Sequence, residues 1–250
     1  MMKRFKLYLA VSAAALTLAV LTGFQQAKKA AAPADPLLDG FRKSTVASVS
    51  DAVDQVAGKR GFMSHSMRPR VPGNIVGRAA TALVRPAPAA QATPQLAVKH
   101  SVEMIEEAKP GEVGVIVLEN GLDVAAIGGL MATAAKSRNM AGIIADGGIR
   151  DVAEIRALGL PVYARSIIPS TAVGRYATVA KQIEVECAGV KVKPGDIIVA
   201  GEDGVVVVPQ EKAAEVLKRA QEIDERETKM VPFIKQYRSL TKAIQVFDRI

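Results

Sequence analysis

Arg150, Asp151 and Glu154 are the residues of this chain whose types and spacing best support chemistry. An arginine offers a two-pronged grip on a carboxylate, and an adjacent aspartate can hold a hard divalent cation. They follow the β-branched run Gly142-Ile143-Ile144-Ala145 and the turn-forming Asp146-Gly147-Gly148. That places them at a strand's carboxyl end, where open α/β sheets receive their ligands. Upstream, Gly128-Gly129 removes side-chain bulk where Leu130 to Lys136 begins to read as a helix. The first amides of a helix lack internal partners and present the positive end of its dipole to an anion. The combination suits a small metal-chelating oxo-acid. Taken singly, each part has a plainer use. A glycine pair before a helix commonly serves packing or a turn, and Asp151 is a good N-cap for Val152 to Leu158.

The segments around these residues supply the scaffold. Helices are expected over Ser44–Val56, Val98–Ala108 and Gln210 to about Met230, the last strongly charged and amphipathic. Strands are expected over Ile75–Val84, Val113–Leu118, Pro161–Ala164, Ile197–Ala200 and Val205–Val208, the final two closing a hairpin. Arg68 to Gly73 reads as a rigid turn, Arg165 to Tyr176 as a loop, and Val231–Ile250 as a second helical piece. Short strands flanked by helices indicate a layered α/β fold in a single domain.

The chain begins with Lys3, Arg4 and Lys6, followed by an uncharged apolar run from Leu7 to Leu21. This is the pattern of a secretory signal peptide, so export is expected, with residues 1–32 as leader and an Ala/Pro-rich linker over 33–43. The main domain would then span 44–230, with a C-terminal tail over 231–250. The leader distorts the charge summary. The formal net charge is +8, but five of the 33 basic residues lie in 1–32 with no acidic one, leaving 28 against 25 acidic. So small an excess gives no argument for nucleic-acid binding, and with 4% aromatic residues and no Trp a base-stacking platform is also missing. The single Cys187 rules out an intramolecular disulfide, and its alternating surroundings make it a core residue. His65 and His100 stand apart and read as ordinary polar positions.

Gly129, twenty intervening residues, Arg150-Asp151, two more and Glu154 resemble the signature of the class II 4-hydroxy-4-methyl-2-oxoglutarate aldolases. That family also includes the regulator of ribonuclease activity A (RraA). The resemblance runs from about Ser48 to Gln210, clearest in GLMATAAK, DGGIRDVAEIRALGLPVYAR and KPGDIIVAGEDGVVVVP. It implies a β/β/α swivelling-domain-like sandwich assembled as a homotrimer or hexamer, with sites at subunit interfaces. It implies that Asp151 is the direct protein ligand of Mg²⁺ or Mn²⁺ and that Arg150 pairs with the substrate carboxylate or enolate oxygen. The amides of Leu130 and Met131, after Gly128-Gly129, would hold a pyruvate-like carboxylate, with Glu154 and Asp146 behind the metal site. The implied activity is metal-dependent cleavage of a C–C bond in a small oxo-acid, releasing pyruvate. The alternative is the non-catalytic binding role of the ribonuclease-regulating branch. One departure matters: relatives with aldolase activity commonly carry an acidic residue where this chain has Gly129. Asp146, Asp123 and Glu119 are the candidates to replace that base.

Overall fold

The computed structural model describes residues 35–248, so the expected leader lies outside the described residues. The strands are Arg68–Val71 (β1), Ile75–Pro86 (β2), Val113–Leu118 (β3), Ala125–Ile127 (β4), Gly142–Ile149 (β5), Val162–Ile167 (β6), Tyr176–Lys181 (β7), Val185–Cys187 (β8), Val190–Val192 (β9), Ile197–Gly201 (β10) and Gly204–Val208 (β11). All but β8 and β9 join one nine-stranded sheet, ordered β1-β6-β5-β3-β2-β10-β11, with β4 beside β5 and β7 beside β2. The central strands β2, β3, β5 and β6 run parallel. Every residue of β3 and β5 is buried, as expected where both faces of a parallel sheet are covered.

The helices are Pro36–Phe41 (α1), Val46–Ala57 (α2), Pro94–Glu107 (α3), Gly129–Ser137 (α4), Val152–Leu158 (α5), Ala213–Tyr237 (α6) and Leu240–Phe247 (α7). Alternation along the strands sorts the core into layers. Ile116, Ile143 and Ala145 pack under α3, α4 and α5, through Met104, Ala132 and Ile155. Val115, Val117 and Ile144 face the other way, toward the β8–β9 hairpin, where Cys187 is fully buried. A third cluster joins α1, α2 and α6 to β10 and β11. The layered α/β fold is therefore as expected from the sequence.

Several boundaries differ from the sequence reading. Residues 36–41 of the expected linker form α1, whose Leu38 and Phe41 are buried. Asp35 as N-cap with Pro36 at the first helical position is the start signal that an Ala/Pro-rich composition obscured. β5 continues to Ile149 through Asp146-Gly147-Gly148 rather than turning there, because β4 and β6 flank it and absorb an irregularity in register. Arg68–Val71 pairs with β6 instead of forming only a turn, and the expected 165–176 loop is shortened by β6 and β7. The long C-terminal helix carries Pro232 inside it and runs to Tyr237, so the break from the tail helix falls at 238–239.

Asp35 is also an electrostatic fastening. Its Oδ1 accepts from the amides of Leu37 (3.0 Å) and Leu38 (3.4 Å), and its Oδ2 accepts from Arg78 Nη2 at 3.1 Å. Burial raises its pKa, but Arg78 and the two amides outweigh it, holding the carboxyl below its ordinary value. A depressed folded pKa stabilises the native state above the unfolded pKa, and the benefit is lost as pH falls through the folded one. Asp35→Ala is expected to cost about 1–2 kcal/mol at pH 7. In urea unfolding the gap from wild type should narrow near pH 3, below the ordinary carboxylate pKa of about 4.

Candidate functional site

The Arg150–Asp151 pair sits where β5 ends and α5 begins. The Arg150 amide donates to Ile127 O at 3.2 Å, tying it to the end of β4. Asp151 then adopts a left-handed conformation, φ 56 and ψ 40, which aspartate tolerates better than most residues. The sequence marked Asp151 as the side-chain cap of α5, but the structure shows no cap hydrogen bond from it. Its carboxylate instead reaches the start of α4, where Oδ2 accepts the Gly129 amide at 2.9 Å. Strained backbone that re-aims a charged side chain is a mark of functional sites.

The glycine pair makes this approach possible. A Cβ on Gly128 would lie 2.6 Å from Asp151 Oδ2 and 3.1 Å from Arg150 Nε, too close for either to stay in place. Arg150 Nε lies 3.7 Å from Asp151 Oδ2, an ion pair rather than a hydrogen bond. The side chains are 42% and 44% exposed, so both can reach a ligand. The Gly129 amide is committed to Asp151, while Leu130 and Met131 follow it in the first turn, where amides have no intrahelical acceptor. Glu154 lies one turn into α5, and its Cβ is 3.6 Å from where a Cβ on Gly129 would stand. Gly128, Gly129, Leu130, Met131, Arg150, Asp151 and Glu154 thus gather at one place. Gly128→Ala should fold normally by circular dichroism yet push the Asp151 carboxylate off the Gly129 amide, which faster hydrogen exchange at that amide would report.

Asp146 does not join them. It follows Ile144 on the hairpin face of the sheet, opposite the face under α4 and α5, and is 8% exposed. Its Oδ1 accepts from Arg165 Nη1 at 3.1 Å, and its Oδ2 accepts the Ala188 amide. The expectation of a role behind the metal site therefore fails for Asp146, because β5 runs on through it and alternation turns its side chain away. Glu119 pairs with Arg85 at 2.8 Å. Asp123 lies near Tyr176, whose hydroxyl is pushed up first by burial and then by that charge. Neither has a hydrogen bond or ion pair to Arg150 or Asp151 among the described residues. His100 bonds Glu103, as an ordinary surface polar group would.

Among the described residues no group of three or more His, Cys, Asp or Glu gathers to hold a metal. The donor set at Asp151 nevertheless suits one kind of ion. One carboxylate oxygen is oriented by the Gly129 amide, the other has no protein partner among the described residues, and the group is open to water. Mg²⁺ keeps several waters and is commonly held by one or two carboxylates together with its substrate.

A sequence family described as Aldolase/RraA, the RraA-like family, matches residues 46–207. A Halalkalibacterium halodurans protein named "Putative 4-hydroxy-4-methyl-2-oxoglutarate aldolase" is 30% identical over 185 residues, covering 72% of this chain and 80% of that one. An uncharacterized protein of Methanocaldococcus jannaschii is 38% identical over 119 residues, 47% of this chain and 56% of its own length. Among solved structures, an uncharacterized Pseudomonas syringae protein superposes with TM-score 0.73 at 28% identity, covering 84% of this chain and 97% of that one. Streptomyces coelicolor RraAS2, described as an unusual member of the RNase ES inhibitor RraA family, gives 0.68 at 26% identity, over 79% and 96%.

Proposed function

The chain belongs to the RraA-like family, and on that premise we propose that it is a divalent-metal-dependent lyase releasing pyruvate from a small oxo-acid. The observation that carries this reading is the Asp151 carboxylate, fixed by the Gly129 amide beside the Arg150 guanidinium at the start of α4. Asp151, with Glu154 one turn away, would hold Mg²⁺ or Mn²⁺. The bound cation would supply Lewis acidity toward the 2-oxo group. Arg150 binds the substrate carboxylate or the enolate oxygen, and the Leu130 and Met131 amides orient the pyruvate-like end. The bond that breaks joins the carbon beside the oxo carbon to the next carbon out (C3–C4). Its electron pair goes into a C2=C3 double bond and the carbonyl pair onto the oxo oxygen, where a guanidinium stabilises the developing enolate charge. In oxaloacetate the leaving fragment is CO₂, and the enolate carbon then takes a proton from water.

Aldol cleavage additionally needs a base for the substrate hydroxyl. Gly129 cannot provide it, Asp146 and Glu119 are engaged elsewhere, and Asp123 lies beside Tyr176. Decarboxylation is therefore the favoured chemistry. The Arg150 and Asp151 side chains are 42% and 44% exposed, which leaves room for a second subunit of a homotrimer or hexamer to close over them. The deciding assay follows pyruvate from oxaloacetate and from 4-hydroxy-4-methyl-2-oxoglutarate, with Mg²⁺ and with a chelator. Metal-dependent turnover is expected. Its absence on both substrates would favour a binding role like that of the RNase inhibitor branch.

A further inference from the structure

Helix α6 takes part in the core for only part of its length. Ala213, Val216, Ala220 and Ile223 enter the third core cluster, but no residue from 229 to 247 enters any of the three. There α6 packs against α7 instead. The Phe233 ring meets Phe247 edge-on, 5.6 Å between centroids, and Tyr237 at 4.6 Å. Arg226 Nη1 donates to Asp248 O at 3.0 Å, so α7 folds back along α6. Arg238 makes the turn in a left-handed conformation, φ 48, and the Ser239 hydroxyl accepts the Lys242 amide at 3.2 Å to cap α7. This helical hairpin lies outside residues 46–207, which match the family.

Its charges are one-sided. Lys229 to Phe247 contains four basic residues and no acidic one, whereas residues 211–227 hold six acidic against four basic. Lys235, Arg238 and Lys242 flank the turn and are exposed. None of their charged groups has a hydrogen bond or ion pair among the described residues, unlike Lys212 and Arg219 near the start of α6, which pair with Glu215 and Glu222. Interleaved with the three cations are Tyr237 and Leu240, each 49% exposed. The turn therefore presents an aromatic and an aliphatic side chain among cations that have no counter-charge.

That mixture selects its partner. An anionic lipid surface offers phosphates to the cations and an apolar layer just beneath them. Tyr settles at headgroup level, and Lys and Arg lay their stems along apolar surface while the charges stay in water. A protein partner fits the turn less well, since Lys is depleted at protein interfaces. A stable interface also takes about 800 Å² from each side, of which two half-exposed side chains supply a small part.

We propose that the α6–α7 turn docks on an anionic lipid surface, with Tyr237 and Leu240 at headgroup level and Lys235, Arg238 and Lys242 against the phosphates. The inference does not depend on the lyase reading. The chain has no Trp, so Tyr237→Trp in the full chain places a single fluorophore at the turn, which reports docking there and nowhere else. Phosphatidylglycerol vesicles should shift its emission to the blue, and phosphatidylcholine vesicles should not. Salt at about 1 M, where the Debye length is about 3 Å, should reverse the shift. Replacing Lys235, Arg238 and Lys242 by Gln in that background should weaken binding by about 10²-fold, at roughly fivefold per basic residue. No shift on phosphatidylglycerol, an equal shift on phosphatidylcholine, or unchanged affinity in the triple-Gln variant overturns the proposal. So does a blue shift that grows with protein concentration without lipid, which would assign the turn to a second copy of the chain. Leu240→Trp reports from the same turn if Tyr237→Trp disturbs the packing on Phe233.

Discussion

Asp151→Ala is expected to abolish metal-dependent pyruvate release, with kcat/KM on oxaloacetate falling by about 10³-fold or more, as when a main electrostatic contributor is removed. The fold should survive, because the Asp151 side chain is 44% exposed. Replacing it with alanine removes the only carboxylate hydrogen-bonded to the α4 start among the described residues, and with it the orientation that the Gly129 amide imposes. Arg150→Lys is the companion test. It keeps the charge but loses the planar fork, and a carboxylate that needs two parallel bonds cannot get them from an ammonium. The two variants should differ in kind. Titration with Mg²⁺ should lose its dependence in Asp151→Ala, whereas Arg150→Lys should retain the dependence at a much lower rate. Mg²⁺-dependent turnover persisting in Asp151→Ala would exclude the assignment of the cation to that carboxylate.

The parts of the site that were legible in the sequence are those whose residues are close along the chain. Gly128-Gly129 before a helix and Arg150-Asp151 after an apolar strand are local patterns, and the parallel pairing of β4 with β5 brings both to one edge. The direction of the Asp151 side chain was not legible. A helix-capping aspartate and one in the left-handed region have the same neighbours in sequence, and only the approach of α4 decides between them. Asp146 was misplaced for a related reason. Asp-Gly-Gly is strong turn chemistry by itself, yet pairing with β4 on one side and β6 on the other holds the segment extended. Its alternation with Ile144 then sends the carboxylate to the hairpin face.

Gly129→Asp is expected to raise cleavage of 4-hydroxy-4-methyl-2-oxoglutarate selectively, by about 10²- to 10⁴-fold, the usual worth of a positioned general base. The wild type should prefer oxaloacetate, whose decarboxylation requires enolate stabilisation but no base at the substrate hydroxyl. The site can accept the new side chain. Gly129 lies outside the left-handed region, and a Cβ there would meet Asp151 Cβ at 3.5 Å, Glu154 Cβ at 3.6 Å and Asp151 Oδ2 at 3.7 Å, all ordinary contacts. Gly128 differs, because its Cβ would collide with the Asp151 carboxylate at 2.6 Å. An aspartate in the first turn of α4 also complements the helix dipole, which favours folding. Its carboxylate would stand near those of Asp151 and Glu154, and like-charged neighbours raise a carboxyl's affinity for a proton. That is the direction a base needs if it is to take the substrate hydroxyl proton near neutral pH. The measurement is the ratio of kcat/KM values on the two substrates, with circular dichroism to confirm the fold. A folded variant whose ratio does not move, beside a wild type already efficient on the aldol substrate, would place the base on another group, with a neighbouring subunit of the proposed oligomer the next place to look.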